Sequence, residues 1–147
     1  LVLRTHGDLH EHDAKGMAQI LSTYLSDAAS VPFAWGQADC MTFAGDWVRA
    51  LAGRDPVAPW RGAYASETEA LELVSRAGGL AALMARGLRS VGWCQVADPC
   101  IGDVVCATLP GHAKPLGGIV CAPGKVAFRA RRGLVIWPAT IVEAWRG

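Results

Sequence analysis

The sequence predicts an α+β fold, with helices first and a small antiparallel β-sheet second. Three observations carry this expectation. Before Trp93 the apolar residues recur at helical spacing. Beyond it the chain breaks into short β-type runs separated by Pro-Gly and Arg-Gly pairs. The 147 residues, 52% hydrophobic and 18% charged, suit one domain with a real core rather than a disordered chain. Neither an internal repeat nor a low-complexity linker divides it.

Residues 1–16 are polar, carry His6, His10 and His12, and read as a flexible N-terminal extension ahead of a single domain at 17–147. His10 and His12 with Asp8 and Asp13 are metal-ligand types, but ordering a flexible tail costs entropy and weakens any such site. From Met17 the residues Ile20, Leu21, Tyr24 and Leu25 follow helical spacing. A second helix opens at Cys40, with Phe43, Ala44, Trp47, Val48 and Leu51 on one face and Gly53 at its end. Residues 55–62, with two prolines, form a loop. Ser66-Glu67-Thr68-Glu69 is a capping box opening a helix through Ala77, closed by Gly78-Gly79. A shorter helix, Leu80 to Ala85, is expected to stop near Gly87. The β-type runs cover 103–108, 118–121, 125–128 and 134–137, with Pro123-Gly124 as a tight hairpin turn. Residues 141–146 are expected to add a last turn of helix.

Charge and cysteine content exclude several classes. A net charge of +1 gives no electrostatic ground for binding nucleic acid or an anionic membrane. Arg129, Arg131 and Arg132 form the one basic cluster and read as a solvated loop. No apolar run approaches the roughly 20 residues that span a bilayer. Leu1-Val2-Leu3-Arg4 does not open a signal peptide, so the chain is expected to be made and kept in a cytoplasm, or carried out by something else. Five cysteines without a C-x-x-C pair argue against a disulfide framework. Cys94, Cys100 and Cys106 recur at six-residue intervals, unlike the close ligand pairs of structural zinc. Cys106 and Cys121 lie in apolar runs as small buried residues. No cofactor and no metal are expected; a redox or iron–sulfur role is the outside alternative.

The chemistry-bearing segment is Pro32–Phe43, an extended, Gly-punctuated stretch that turns into a helix with Cys40 at the turn. A helix N-terminus favours thiolate over thiol, which makes Cys40 a candidate nucleophile. Cys40 also shares a face with Phe43, Ala44 and Trp47, and burial there would make it inert. Asp39 is placed to cap the helix or to orient a base. His112, in the loop Pro110–Pro115, stands outside the N-terminal histidines; it reads as a candidate base or as a surface residue.

Three local patterns resemble the NlpC-type peptidoglycan endopeptidases, which have a papain-like fold. Phe33-Ala34-Trp35-Gly36 before Asp39-Cys40 and Phe43 is similar to that family's approach to its nucleophile turn. Ile101-Gly102-Asp103-Val104-Val105 resembles its Gly-Asp-Leu-Val strand entry, and Gly118-Ile119-Val120 its Gly-Ile-Tyr hairpin. A phage and prophage branch similar to tail-tip-encoded proteins is the nearer resemblance. It implies a Cys40 nucleophile, a general base opening the strand before Gly118-Ile119, and an orienting polar residue about a dozen positions on. Those positions hold Leu116 and Phe128, which accept no proton.

Two functions follow from the resemblance. One is a structural or assembly part of a phage tail tip with a degenerate catalytic site. It would be made in the cytoplasm and carried into the virion, with tail-tip or baseplate proteins as partners and Trp60, Trp93, Trp137 and Trp145 as possible anchors. The other is a cysteine endopeptidase on peptidoglycan stem peptides, using Cys40 with His112 as base and Asp39 beside it.

Overall fold

A computed structural model describes residues 6–147, with side chains from Lys15 onward. Four helices precede six strands: α1 (His6–Ala29), α2 (Cys40–Ala52), α3 (Glu67–Arg76), α4 (Leu80–Ser90), β1 (Cys94–Val96), β2 (Val104–Thr108), β3 (Leu116–Ala122), β4 (Lys125–Ala130), β5 (Gly133–Pro138) and β6 (Thr140–Arg146). The α+β order is the expected one. Helix α1 begins well before Met17, so the boundary set at Gly16 falls inside a helix. The metal-ligand types at Asp8, His10, His12 and Asp13, and the side chain of His6, lie outside the described side chains. Leu21 of α1 is buried, and Tyr24 stacks at 5.6 Å from Phe43 and 5.3 Å from Trp47 of α2.

The six strands form one antiparallel sheet in the order β1-β6-β2-β3-β4-β5. Only Ala139 joins β5 to β6. That link spans at most ~7 Å, whereas a flat sheet would hold those strands four spacings, ~19 Å, apart. The sheet is therefore rolled into a partial barrel. Alternation along each strand then makes two cores. Val104, Cys106, Ile119, Ala127 and Trp145 face the helices and pack with Leu21, Phe43, Trp47 and Val48. Val105, Ala107, Val120, Val126, Phe128 and Ala144 fill the inside of the roll.

Four expectations need correction. Residues 141–146 are strand, not helix. A bulge at the Cys106/Ala107 step of the β2–β6 ladder leaves Val142 unpaired, so Ile141 and Ala144 both face the inner core. That three-residue step imitates helical periodicity. Helix α4 runs on through Gly87 to Ser90. A Cβ at Gly87 would meet the Pro56 carbonyl oxygen at 2.3 Å and Trp60 at 2.9 Å, so this glycine admits a neighbour rather than ending a helix. Arg129 is no loop residue: it is 5% exposed in β4, and it donates to the carbonyls of Ala28 (2.6 Å) and Val31 at the end of α1. Finally, the capping box at α3 is only half reciprocal. Ser66 accepts from the Glu69 N–H, but the Glu69 carboxylate accepts from Ala65.

The Pro123-Gly124 hairpin is as expected, with Gly124 at φ +72°. β1 is a strand that the spacing did not reveal. Among the described residues no helix is long and apolar enough to cross a membrane.

Candidate functional site

The first turn of α2 is fixed before any chemistry is considered. Asp39 is the N-cap, extended at φ −126° and ψ −171°; one carboxylate oxygen accepts from the N–H groups of Met41 (3.0 Å) and Thr42 (2.9 Å). Thr42 completes the box, its hydroxyl accepting from the Asp39 N–H at 2.8 Å. The other carboxylate oxygen accepts from the Gly36 N–H (2.8 Å) and the Tyr64 hydroxyl (2.6 Å). The Trp35-Gly36 motif gains a physical reason here. Gly36 sits at φ +76°, where a Cβ would come within 2.3 Å of the Tyr64 carbonyl oxygen. Asp39 is buried with both oxygens committed to α2 and its approach, which leaves no acceptor for an imidazole. Of its two readings, capping is the one the hydrogen bonds express.

Cys40 follows at the first helical position, partly exposed, on the wall of a cleft of about 350 Å³. The cleft is bounded by Trp35 and Tyr64, by Leu71 and Val74 on one face of α3, and by Lys114 and Leu116 leading into β3. Burial pushes the Cys40 thiol up to about 11, with the Asp39 carboxylate adding to the rise. The backbone N–H groups of Gly117, Cys40 and Met41 pull the other way and do not prevail. At pH 7 a thiol with that pKa is ionised to about one part in ten thousand, against a few per cent for a free cysteine.

The strand register explains how the facing wall is built. Gly117 packs against α2, where a Cβ would stand 3.3 Å from the Cys40 carbonyl oxygen, and this holds the start of β3 next to the thiol's helix. Leu116, at the position where the resemblance implies a base, does line the Cys40 cleft. Phe128 pairs with Gly118 and is buried inside the roll. His112 is exposed, its N–H bonds to the Leu109 carbonyl at 3.0 Å, and it is not among the residues lining the cleft. The structure thus brings Asp39, Cys40 and Leu116 together and leaves His112 on the surface.

The other motifs serve packing. Asp103 of the Gly-Asp strand entry is buried and accepts from Cys100 N–H (2.7 Å) and from Arg146 (2.9 and 2.7 Å). The Trp47 indole donates to the Gly102 carbonyl at 2.8 Å, locking α2 to that entry. Cys106 is buried beneath α2 and pushed up to about 12 by burial, while Cys94 and Cys100 are exposed. Among the described residues no group of three His, Cys, Asp or Glu side chains converges on a metal position. Tyr64 is the site residue that sequence reasoning missed. Burial and the Asp39 hydrogen bond raise its phenol well above the ordinary range. Its one sequence signal is an aromatic hydroxyl between two alanines in a loop, which does not name Asp39 as its partner.

The chain belongs to the family described as a domain of unknown function (DUF6950), whose model matches residues 14–147. No curated protein and no solved structure matches it.

Proposed function

We propose that this is an NlpC-like domain that has given up peptide-bond hydrolysis and works as a docking or assembly part, in the phage tail-tip setting that its sequence resembles. The observation that carries the reading is the wall facing Cys40. Lys114, Pro115 and Leu116 stand there, among the described residues no imidazole lines the cleft, and the Glu67 carboxylate that does line it is paired with Arg131 at 3.2 Å. Without an imidazole beside it the thiol lacks the group that takes its proton and later returns one to a leaving amine in cysteine hydrolysis. A thiol raised to about 11 fits the same reading, because desolvation outweighs the helix N-terminus. The hydrolase alternative has the Gly117 and Cys40 N–H groups in its favour, since they act to lower the thiol's pKa. The Met41 N–H also donates to the Asp39 carboxylate, and the pull of these groups does not overcome burial. The papain-like assignment and the tail-tip setting rest on the resemblance of the Asp39-Cys40, Gly102-Asp103 and Gly118-Ile119 segments.

The test is the pH dependence of Cys40 alkylation by iodoacetamide, with Cys40→Ala and His112→Ala as controls. The expected profile rises only toward pH 11 and is the same in His112→Ala. A thiol titrating well below about 8.5 and dependent on His112, or Cys40-dependent cleavage of peptidoglycan fragments, overturns the reading. Failure of the chain to associate with neighbouring tail-tip proteins in a pull-down overturns its assembly half.

A further inference from the structure

The sheet has two edges, and they are finished differently. β1 is three residues long, whereas β5 has six, all paired with β4 on one side and, among the described residues, with no strand on the other. Along that free edge Val135, Ile136 and Trp137 run consecutively exposed, with Ile136 and Trp137 each 52% accessible. A long apolar edge of this kind is what soluble proteins usually cover. Pro138 has no N–H and stands opposite Lys125 in the ladder, so it belongs to the alternate set whose backbone groups point away from β4. Leu134 and Ile136 share that set, which leaves their N–H and C=O groups directed at the open edge.

Charge decides what fits there. Arg132 is exposed at the start of β5, in the two-residue turn between Ala130 and Gly133. Lys125 is exposed beside Pro138 at the other end. Neither makes an ion pair among the described residues. The edge is therefore apolar in the middle and cationic at both ends. A second copy meets like charge in either orientation: antiparallel pairing sets Arg132 against the Lys125 end, and parallel pairing sets each cation against itself.

We infer that β5 is a strand-addition site that takes an extended segment of another protein, β-branched in its centre and acidic at both flanks, as the sheet's next strand. This deepens the docking reading by giving it a surface and a partner chemistry. Main-chain hydrogen bonds to Leu134 and Ile136 supply register. Trp137 and Ile136 provide side-chain contact on opposite faces, and Arg132 and Lys125 select the acidic flanks.

The test uses the full chain and a fluorescein-labelled peptide of alternating Val and Thr with paired Glu at each end, read by anisotropy. Binding is expected to weaken with salt. It is also expected to weaken at least about tenfold when one alternate set of peptide amides is N-methylated, and to persist when the other set is. Ile136→Lys should reduce binding while leaving the circular dichroism spectrum unchanged. No binding, equal binding of both methylated peptides, or equal binding of a peptide with Lys flanks overturns the proposal. A dimer in sedimentation that Ile136→Lys dissolves overturns the choice of occupant. If tail-tip proteins are captured equally by wild type and Ile136→Lys, the β5 site fails while the docking reading stands. If wild type captures none, the docking reading itself fails.

Discussion

The first turn of α2 and the free edge of β5 both present backbone N–H groups beyond the end of a hydrogen-bonded array, and the molecule finishes them in opposite ways. At α2 the Asp39 carboxylate takes Met41, Thr42, Gly36 and Tyr64 at once, all buried. At β5 the outward groups of Leu134 and Ile136 meet no strand among the described residues, and beyond the half-buried Leu134 the side chains of Val135, Ile136 and Trp137 are exposed. A saturated polar network over-determines one geometry, which holds the first turn of α2 in place whatever lines the cleft beside it. An unpaired edge determines nothing until a partner arrives. The first site is fixed by its own contacts, and the second is the one at which we propose binding.

The comparison breaks first at Asp39. Asp39→Ala strands the N–H groups of Gly36, Met41 and Thr42 and the Tyr64 hydroxyl, all on buried residues. Each buried unsatisfied group costs about 1–3 kcal/mol, with some relief from relaxation. The expected loss is about 3–5 kcal/mol, seen as a lower urea midpoint at unchanged slope. A loss under about 1 kcal/mol would mean that the cap is solvent-accessible and the turn is not over-determined.

That network was half legible in the sequence. The cap, the apolar stripe and the terminal glycine of α2 all fall within a short span, so local spacing finds them. Even there the stripe ends early, because Leu51 is exposed. Tyr64 and Gly36 meet Asp39 only through the folded loop, and spacing does not report that. The same limit explains the other corrections. Arg129 looked like part of a solvated cluster because its acceptors, Ala28 and Val31, lie at the far end of the chain. The bulge at Val142 gave β6 a helix-like step. Cys40 had two readings because desolvation and the helix terminus act in opposite directions on one thiol, and only packing sets their ratio.

Gly53 and Gly87 make the same point as an experiment. Both follow an apolar helical run, and both look like helix stops. Gly53 is one, at φ +72° with open space around it; Gly87 sits inside α4 against Pro56 and Trp60. In an open helix interior a glycine-to-alanine change stabilises by about 1 kcal/mol. Gly87→Ala is instead expected to destabilise by about 2–3 kcal/mol, because the contact at 2.3 Å is with backbone and cannot swing away. Thermal unfolding measures it. A stabilising Gly87→Ala would show that α4 can shift off the Pro56 loop, and the wall of the Cys40 cleft with it.

The smallest expected effect is at the open edge. Ile136→Thr keeps a β-branched residue in the strand and removes apolar contact only where the side chain is already half in water. Its backbone set points away from β4, so the ladder to Ala127 and its neighbours is untouched. Stability should change by less than about 0.5 kcal/mol in urea, a small fraction of the Asp39→Ala loss. A loss above about 1.5 kcal/mol would mean that Ile136 is covered in solution, by this chain or by a second copy. The edge would then be finished like α2, by contacts already in place. A small change leaves β5 as a strand whose exposed residues contribute little to holding this domain together and remain free for pairing with another.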